Sequence, residues 1–374
     1  MKNIESEILI MCSKSHLSED EKKYVQNNIR YIKWNKFLYY CVHHRVVSIV
    51  YRNLEKIDLL DLINKRIRET MHKIFNQNAE RNRIFYKELQ NLNDEFAKIG
   101  IKVLLIKGGL LGPLLYNDYS LRELGDIDLL IKVEDIPIVT KILNNYGFIQ
   151  GDYDEINQKI TPVSRRKLLT QRMYSHELIE FKKISGNSKI PIIPVDVNLD
   201  VFWNTLKKGY SINTRILFEN TQQFQINNTP CHHLEPHYHI IQLCAHFYNE
   251  AVFFPFKNSW VKTKQEVILM RICDIYELIK SVDINWNKLE KLITKYKIEE
   301  PVVYTLYIVN QVYNNTVPED FFYKINISKS IIDIYYDKQG VQQNWDLSLR
   351  ERLFSIDAKY KEIELKFDLA GFGH

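Results

Sequence analysis

The chain has 374 residues, 45% of them apolar and 26% charged, with a net charge of +5. Such a composition excludes a collagen-like, low-complexity or linker-dominated chain and supports the cores of two or three ordinary domains. The charge excess lies within residues 1–100, where 18 Lys and Arg face 13 Asp and Glu; it suits anionic substrates and is small for a dedicated nucleic-acid binder.

Further classes fall away on local grounds. No run approaches the 18 or so apolar residues of a membrane span. The opening MKNIESEILIMCSKSH lacks the apolar stretch of a secretory signal. Cys12, Cys41, Cys231, Cys244 and Cys273 show no paired spacing, so they read as reduced, buried thiols of a cytoplasmic protein.

Glycine and proline divide the chain. None of the 12 glycines precedes Gly100, and the first proline is Pro113. Residues 1–99 therefore read as an N-terminal helical part. Ser18 and Glu21 form a capping box. Apolar residues recur at helical spacing, and residues 59–99 suit one long helix closed by Gly100.

Five glycines then fall at 100, 108, 109, 112 and 125, and the pattern changes. Residues 101–106 suit a buried strand, Gly108 and Gly109 a turn, 110–116 a short helix and 126–131 a second strand. Residues 135–146 suit an amphipathic helix stopped by Gly147. Residues 173–181 and 190–202 read as two more strands, with 182–189 as a polar loop. Residues 240–248, 267–279, 286–296 and 301–313 read as helices, with weaker signals at 331–336 and 349–367 and a frayed AGFGH tail. The predicted class is α+β, a small mixed-sheet core at 100–235 between helical parts at 1–99 and 236–374.

The chemistry concentrates at the second strand. Residues two apart on a strand share a face, so Asp126 and Asp128 point together while Ile127 anchors the other side. Two adjacent carboxylates repel unless cations lie between them, and Mg²⁺ (or Mn²⁺) is the natural counter-charge. Gly108 and Gly109 open a helix N-terminus, which favours phosphate. Asp196, on an alternating strand, is the choice for a third carboxylate, with Asp200 in reserve on the same face. Lys107 and Arg122 are the nearby cations. Arg122 also suits a salt bridge to Glu123 or Asp126. The histidines at 232, 233, 237, 239 and 246 do not match the spacing of a closed zinc site. Arg165, Arg166, Lys167 and Arg172 form a basic run.

This order of strand, Gly-Gly, short helix, Asp-x-Asp strand and later lone Asp resembles the polymerase-β nucleotidyltransferase superfamily. The stretch IKVLLIKGGLLGPLLYNDYSLRELGDIDLLIKVEDIPIVTKILNNYGF resembles, more narrowly, a bacterial family of uncharacterised nucleotidyltransferases found beside peptide natural-product genes. Ser175-His176-Glu177-Leu178 sits where that family has a His-containing strand. Met270 to Ile275 sits where it has Arg-x-x-Asp, here Arg271 and Asp274. One departure is Asn198, which stands where the family has a His, with Trp203 displaced.

The resemblance implies transfer of a nucleoside monophosphate from a triphosphate, ATP first among them, to a hydroxyl or phosphate acceptor with release of pyrophosphate. Asp126, Asp128 and Asp196 would hold the metals, Gly108 and Gly109 the phosphates, and Lys107 or Arg122 the charge of the leaving pyrophosphate. A small-molecule or peptide acceptor is expected, with nucleic acid second and no membrane. The rivals are a toxin-like transferase acting on transfer RNA, which needs a basic groove, and a catalytically inactive nucleotide- or partner-binding module, which Asn198 keeps open.

Overall fold

The computed structural model describes residues 3–202, 209–226, 229–252, 267–336 and 341–354. Trp203, the end of the stretch expected to be helical at 349–367, and the AGFGH tail lie outside the described residues.

The glycine-free start is helical as expected: α1 (Ile4–Cys12), α2 (Glu19–Asn28), α3 (Trp34–His43), α4 (Val47–Lys56) and the 34-residue α5 (Lys65–Lys98). The Ser18–Glu21 capping box opens α2. Asn64 caps α5 by accepting from the Arg66 N–H, and Gly100 follows its end with φ +70°, a left-handed geometry that glycine adopts without strain. Midway along α5, Asn78 and Asn82 are buried and turned toward the 117–124 loop. Asn78 donates to the Ser120 carbonyl (2.7 Å) and Asn82 to the Arg122 carbonyl (2.7 Å).

Next come β1 (Leu104–Ile106), α6 (Lys107–Leu115), β2 (Ile127–Leu130), α7 (Ile136–Asn145), the hairpin β3 (Ile149–Asp154) and β4 (Lys159–Pro162), α8 (Arg165–Tyr174), β5 (Phe181–Asn187), β6 (Ile190–Asn198), α9 (Thr214–Glu219), β7 (Thr221–Ile226) and β8 (Thr229–Leu234). One eight-stranded sheet has the order β4-β3-β5-β6-β2-β1-β8-β7. Its centre is mixed: β2 runs antiparallel to β1 and parallel to β6. The helices α10 (Pro236–Val252), α11 (Leu269–Ser281), α12 (Trp286–Tyr296), α13 (Glu299–Val312), α14 (Glu319–Ile325) and α15 (Leu349–Phe354) follow, with a short pair β9 (Ile334–Tyr336) and β10 (Gln342–Asn344). The fold is thus α+β, a mixed sheet between helical parts.

Several local expectations are corrected. Gly108 and Gly109 lie in the first turn of α6, and the chain reverses at Lys107, whose φ is +48°. Residues 165–174 are helical, so the strand expected at 173–181 reduces to an extended approach to β5. The supposed loop at 182–189 is mostly β5, paired with β6. The edge strands β4 and β7, and β3 beside β4, carry mostly polar, half-exposed residues, so they lack the apolar signal that marks a buried strand. Residues 331–336 end a 3₁₀ turn (Lys329–Asp333) and form β9.

The sheet separates two cores. Leu105, Ile127, Leu129, Val195 and Val197 pack on one face with α5 and α7 residues such as Leu92 and Val139. Leu104, Ile106 and Leu130 on the other face join one continuous core shared by the helices before residue 72 and those after residue 236. Asp126 and Asp128 alternate with Ile127 and Leu129, and Asp196 with Val195 and Val197, so all three face this shared helical layer.

Candidate functional site

Strand register assembles the acidic centre. Ile106 lies opposite Asp128 across β1–β2, and Asp128 lies opposite Asp196 across β2–β6. Adding Asp126, each of the three offers a carboxylate oxygen, and these oxygens lie within 4.8 Å of one another. Asp200, the reserve candidate, turns back on its own backbone and accepts from Val201 (2.6 Å) and Phe202 (3.2 Å). Asn198, next on the triad's strand face, is buried and donates its amide to the Leu129 carbonyl at 3.3 Å, tying β6 to β2.

Crowding of negative charge sets the electrostatics. The Asp128 charge, followed by burial, raises the Asp126 carboxyl above the usual carboxylate range. Burial, then Asp128 and Asp126, raises Asp196 likewise. Lys107 enters this field as the first residue of α6, its ammonium 2.6 Å from Asp128 Oδ1. Burial alone would lower the Lys107 ammonium, but Asp128 outweighs it and holds its pKa above the ordinary value. The left-handed backbone at Lys107 costs about 1–2 kcal/mol, and the ion pair lies at that same strained corner.

Arg122 takes a carboxylate partner other than the expected Glu123 or Asp126. Its guanidinium grips Asp274 of α11, with Nε 3.1 Å from both carboxylate oxygens and Nη2 2.8 Å from Oδ2. Tyr116 donates to Asp274 Oδ1 at 2.8 Å, and Arg122 Nη1 donates to the Glu123 carbonyl at 2.9 Å. Asp274 is buried and Arg122 nearly so, so the pair ties the 117–124 loop to the C-terminal helices. A Cβ on Gly108 would lie 2.4 Å from Arg122 Nη1. Gly108 therefore makes room for this guanidinium. Gly112, in turn, makes room for the Tyr86 hydroxyl, 2.5 Å from where its Cβ would stand.

The triad opens into a cavity of about 340 Å³. Its sheet side carries Lys107, Gly108, Asp126, Asp128, Glu177 and Asp196. Its helical side carries Arg45 from the α3–α4 turn and Phe247, Glu250, Met270, Arg271 and Asp274 from α10 and α11. Arg271 pairs with Glu250; burial, with Arg45 nearby, pushes the Arg271 guanidinium down to about 10. Buried His44 fixes the position of Arg45: His44 Nδ1 accepts from the Leu269 N–H and its carbonyl from the Met270 N–H, both at 3.3 Å. Gly109 lies in the first turn of α6 against Leu105.

Asp126, Asp128, Asp196, Lys107, Gly108 and Arg122 thus line one cavity, with Arg122 committed to Asp274. The residue pattern missed Arg45, Glu177 and Glu250 as cavity residues. It also missed Asn78 and Asn82 as supports of the Arg122 loop, although two asparagines four apart in an apolar helical stripe are a legible sign of buried polar contacts.

A nucleotidyltransferase-like antigenic protein from Paracoccidioides brasiliensis, known from a crystal structure, is 12% identical; the match covers 59% of this chain and 91% of that one, with a TM-score of 0.33. No curated protein matches the chain. The model of a family described as uncharacterised nucleotidyltransferases matches residues 31–314, and this chain belongs to that family.

Proposed function

We propose that this protein transfers a nucleoside monophosphate from a nucleoside triphosphate, ATP being the first to test, to an acceptor hydroxyl or phosphate. The acceptor oxygen bonds to the α-phosphorus, the bond from that phosphorus to the β-phosphate oxygen breaks, and pyrophosphate leaves. The acceptor proton passes to Asp196 or to water.

The observation that carries this reading is the approach of three carboxylates within 4.8 Å on a sheet face that opens into a cavity. The donor set fits Mg²⁺ or Mn²⁺: three hard oxygen ligands whose mutual repulsion and burial raise the Asp126 and Asp196 carboxyls, a repulsion that a cation between them would relieve. Bound there, the metal would supply Lewis-acid charge to the phosphoryl transfer. Asp126, Asp128 and Asp196 would hold it at the β2–β6 edge of the cavity. The α6 N-terminus at Gly108 and Gly109, which has no side-chain cap, offers N–H groups to the departing phosphates. Lys107 neutralises their charge from the same turn. Arg122 keeps the 117–124 loop and α11 together, so that both walls hold their spacing.

The test is label transfer from α-³²P-labelled triphosphates with Mg²⁺ and a cell extract, with pyrophosphate release measured alongside. Transfer by the wild type and its loss in Asp126→Ala and Asp128→Ala are expected. Undiminished transfer in both variants would remove the metal-site assignment, and failure of calorimetry to detect triphosphate–Mg²⁺ binding would remove the enzymatic reading.

A further inference from the structure

Among the described α-helices, α8 is the one that its own packing does not explain. It has ten residues and buries none of them. A helix this short is marginal in water on propensity alone, and helices of folded proteins are normally held by one packed face. Yet α8 exposes Leu169 (52%), Met173 (73%) and Tyr174 (83%).

Its charge is one-sided. From Lys159 to His176 there is no Asp or Glu, while α8 carries Arg165, Arg166, Lys167 and Arg172. Lys167 lies 3.6 Å from exposed Asp152 of β3. The other three cations lie outside every salt bridge found among the described residues.

The arrangement selects among polyanions. At about 100° per residue, the four cations spread around the helix and interleave with Leu169, Met173 and Tyr174. A helix that lies on a membrane needs its apolar residues gathered on one side, and α8 has no such side. Cations interleaved with an aromatic ring suit a single-stranded nucleic acid, whose phosphates meet the cations and whose bases stack on the ring.

Position links this helix to the cavity. Three residues after Tyr174, Glu177 lines the cavity wall. Leu178 N–H donates to the Val197 carbonyl and Leu199 N–H to the His176 carbonyl, which anchors the segment beside Asp196. Three residues of chain reach about 10 Å at most, so a strand on α8 has only a short run to the triad.

We propose that α8 is the docking surface for a single-stranded nucleic acid that serves as the acceptor. This rests on the transferase reading for the word acceptor, while the docking itself stands on α8 alone.

The test is binding of a fluorescent single-stranded RNA of roughly 20 nucleotides to the full chain, without triphosphate or metal, followed by anisotropy. Four phosphate contacts give a log–log salt slope of about −3, or roughly fiftyfold weaker binding from 50 to 200 mM salt. Replacing Arg165, Arg166, Lys167 and Arg172 together by Gln should flatten the slope toward zero and weaken binding at 50 mM at least about tenfold, at an unchanged melting temperature. Tyr174→Ala should weaken binding with the slope retained.

Equal RNA binding by the quadruple variant overturns the proposal. So does poly-glutamate binding as tight as RNA, or α8-dependent binding of phosphatidylserine vesicles without RNA binding. The Asp126→Ala protein should bind RNA like the wild type. If binding holds and transfer to RNA fails, the transferase reading fails alone; if transfer to another acceptor proceeds without RNA binding, the docking proposal fails alone.

Discussion

The cavity and helix α8 treat positive charge in opposite ways. In the cavity, Lys107 is bound to Asp128, Arg122 to Asp274 and Arg271 to Glu250. On α8, the cations stand in solvent, and among the described residues they share only the exposed Lys167–Asp152 pair. Burial explains the difference. A charge taken out of water must be paired or neutralised, whereas an exposed charge keeps its hydration and remains available to a partner. A cation in the site is therefore not by that fact a phosphate ligand: Arg122 is already engaged by Asp274.

The contrast can be broken most severely at the triad. Asp126→Ala or Asp128→Ala should each lower transfer about a thousandfold, the equivalent of several kcal/mol of lost charge stabilisation, with little loss of melting temperature. A variant that transfers normally would place the chemistry elsewhere.

Next in size is the Arg122–Asp274 pair. Asp274→Ala leaves a buried guanidinium without its carboxylate and should destabilise by about 3–5 kcal/mol. The double variant Arg122→Met/Asp274→Leu removes both charges and should recover part of that loss in urea unfolding. If it is no more stable than the single variant, charge burial is not the cause.

A buried imidazole takes the other route and stays neutral. Burial, then His233, pushes His239 in α10 down to about 3, below the ordinary histidine value of about 6.5. Above that value both folded and unfolded forms are neutral and pH has no effect through this group. As pH falls from about 6.5 toward 3, the unfolded chain binds a proton that the folded chain refuses. Stability is therefore lost on acidification, by about 1.4 kcal/mol per pH unit. His239→Leu should make the acid limb of a stability–pH curve shallower by one proton.

Smaller effects separate the glycines. Gly112→Ala would drive a methyl group into the Tyr86 hydroxyl and should cost about 1–3 kcal/mol, with Tyr86→Phe relieving part of it. Gly125→Ala meets nothing within 4 Å and should stay within about 0.5 kcal/mol. The smallest effect belongs to α8: Leu169→Ser and Met173→Ser should leave the melting temperature nearly unchanged, within about 0.5 kcal/mol. A large drop there would mean that these side chains are packed against the protein itself.

Much of the site could be read along the chain. The glycine-free helices, the capping box, the Asp126–Asp128 spacing with Ile127 inward, and the end of α5 at Gly100 all follow from short-range rules of period, capping and backbone freedom. Those rules act within a few residues, so they are written locally. Asp196 was reachable because its strand alternates cleanly.

What only the tertiary structure decided are the partnerships between distant segments. Asp274 lies 152 residues from Arg122 and claims a guanidinium whose expected partners, Glu123 and Asp126, lie within four residues of it. The first and last helices merge into one core, and His44 sets Arg45 at the cavity rim. The edge strands exist because neighbouring strands supply their hydrogen bonds rather than because their own residues demand burial. Local pattern carries periodicity and caps, while the identity of a buried charge's partner depends on which segments the fold brings together; the carboxylates that cluster at the cavity were legible, and the partners of its cations were not.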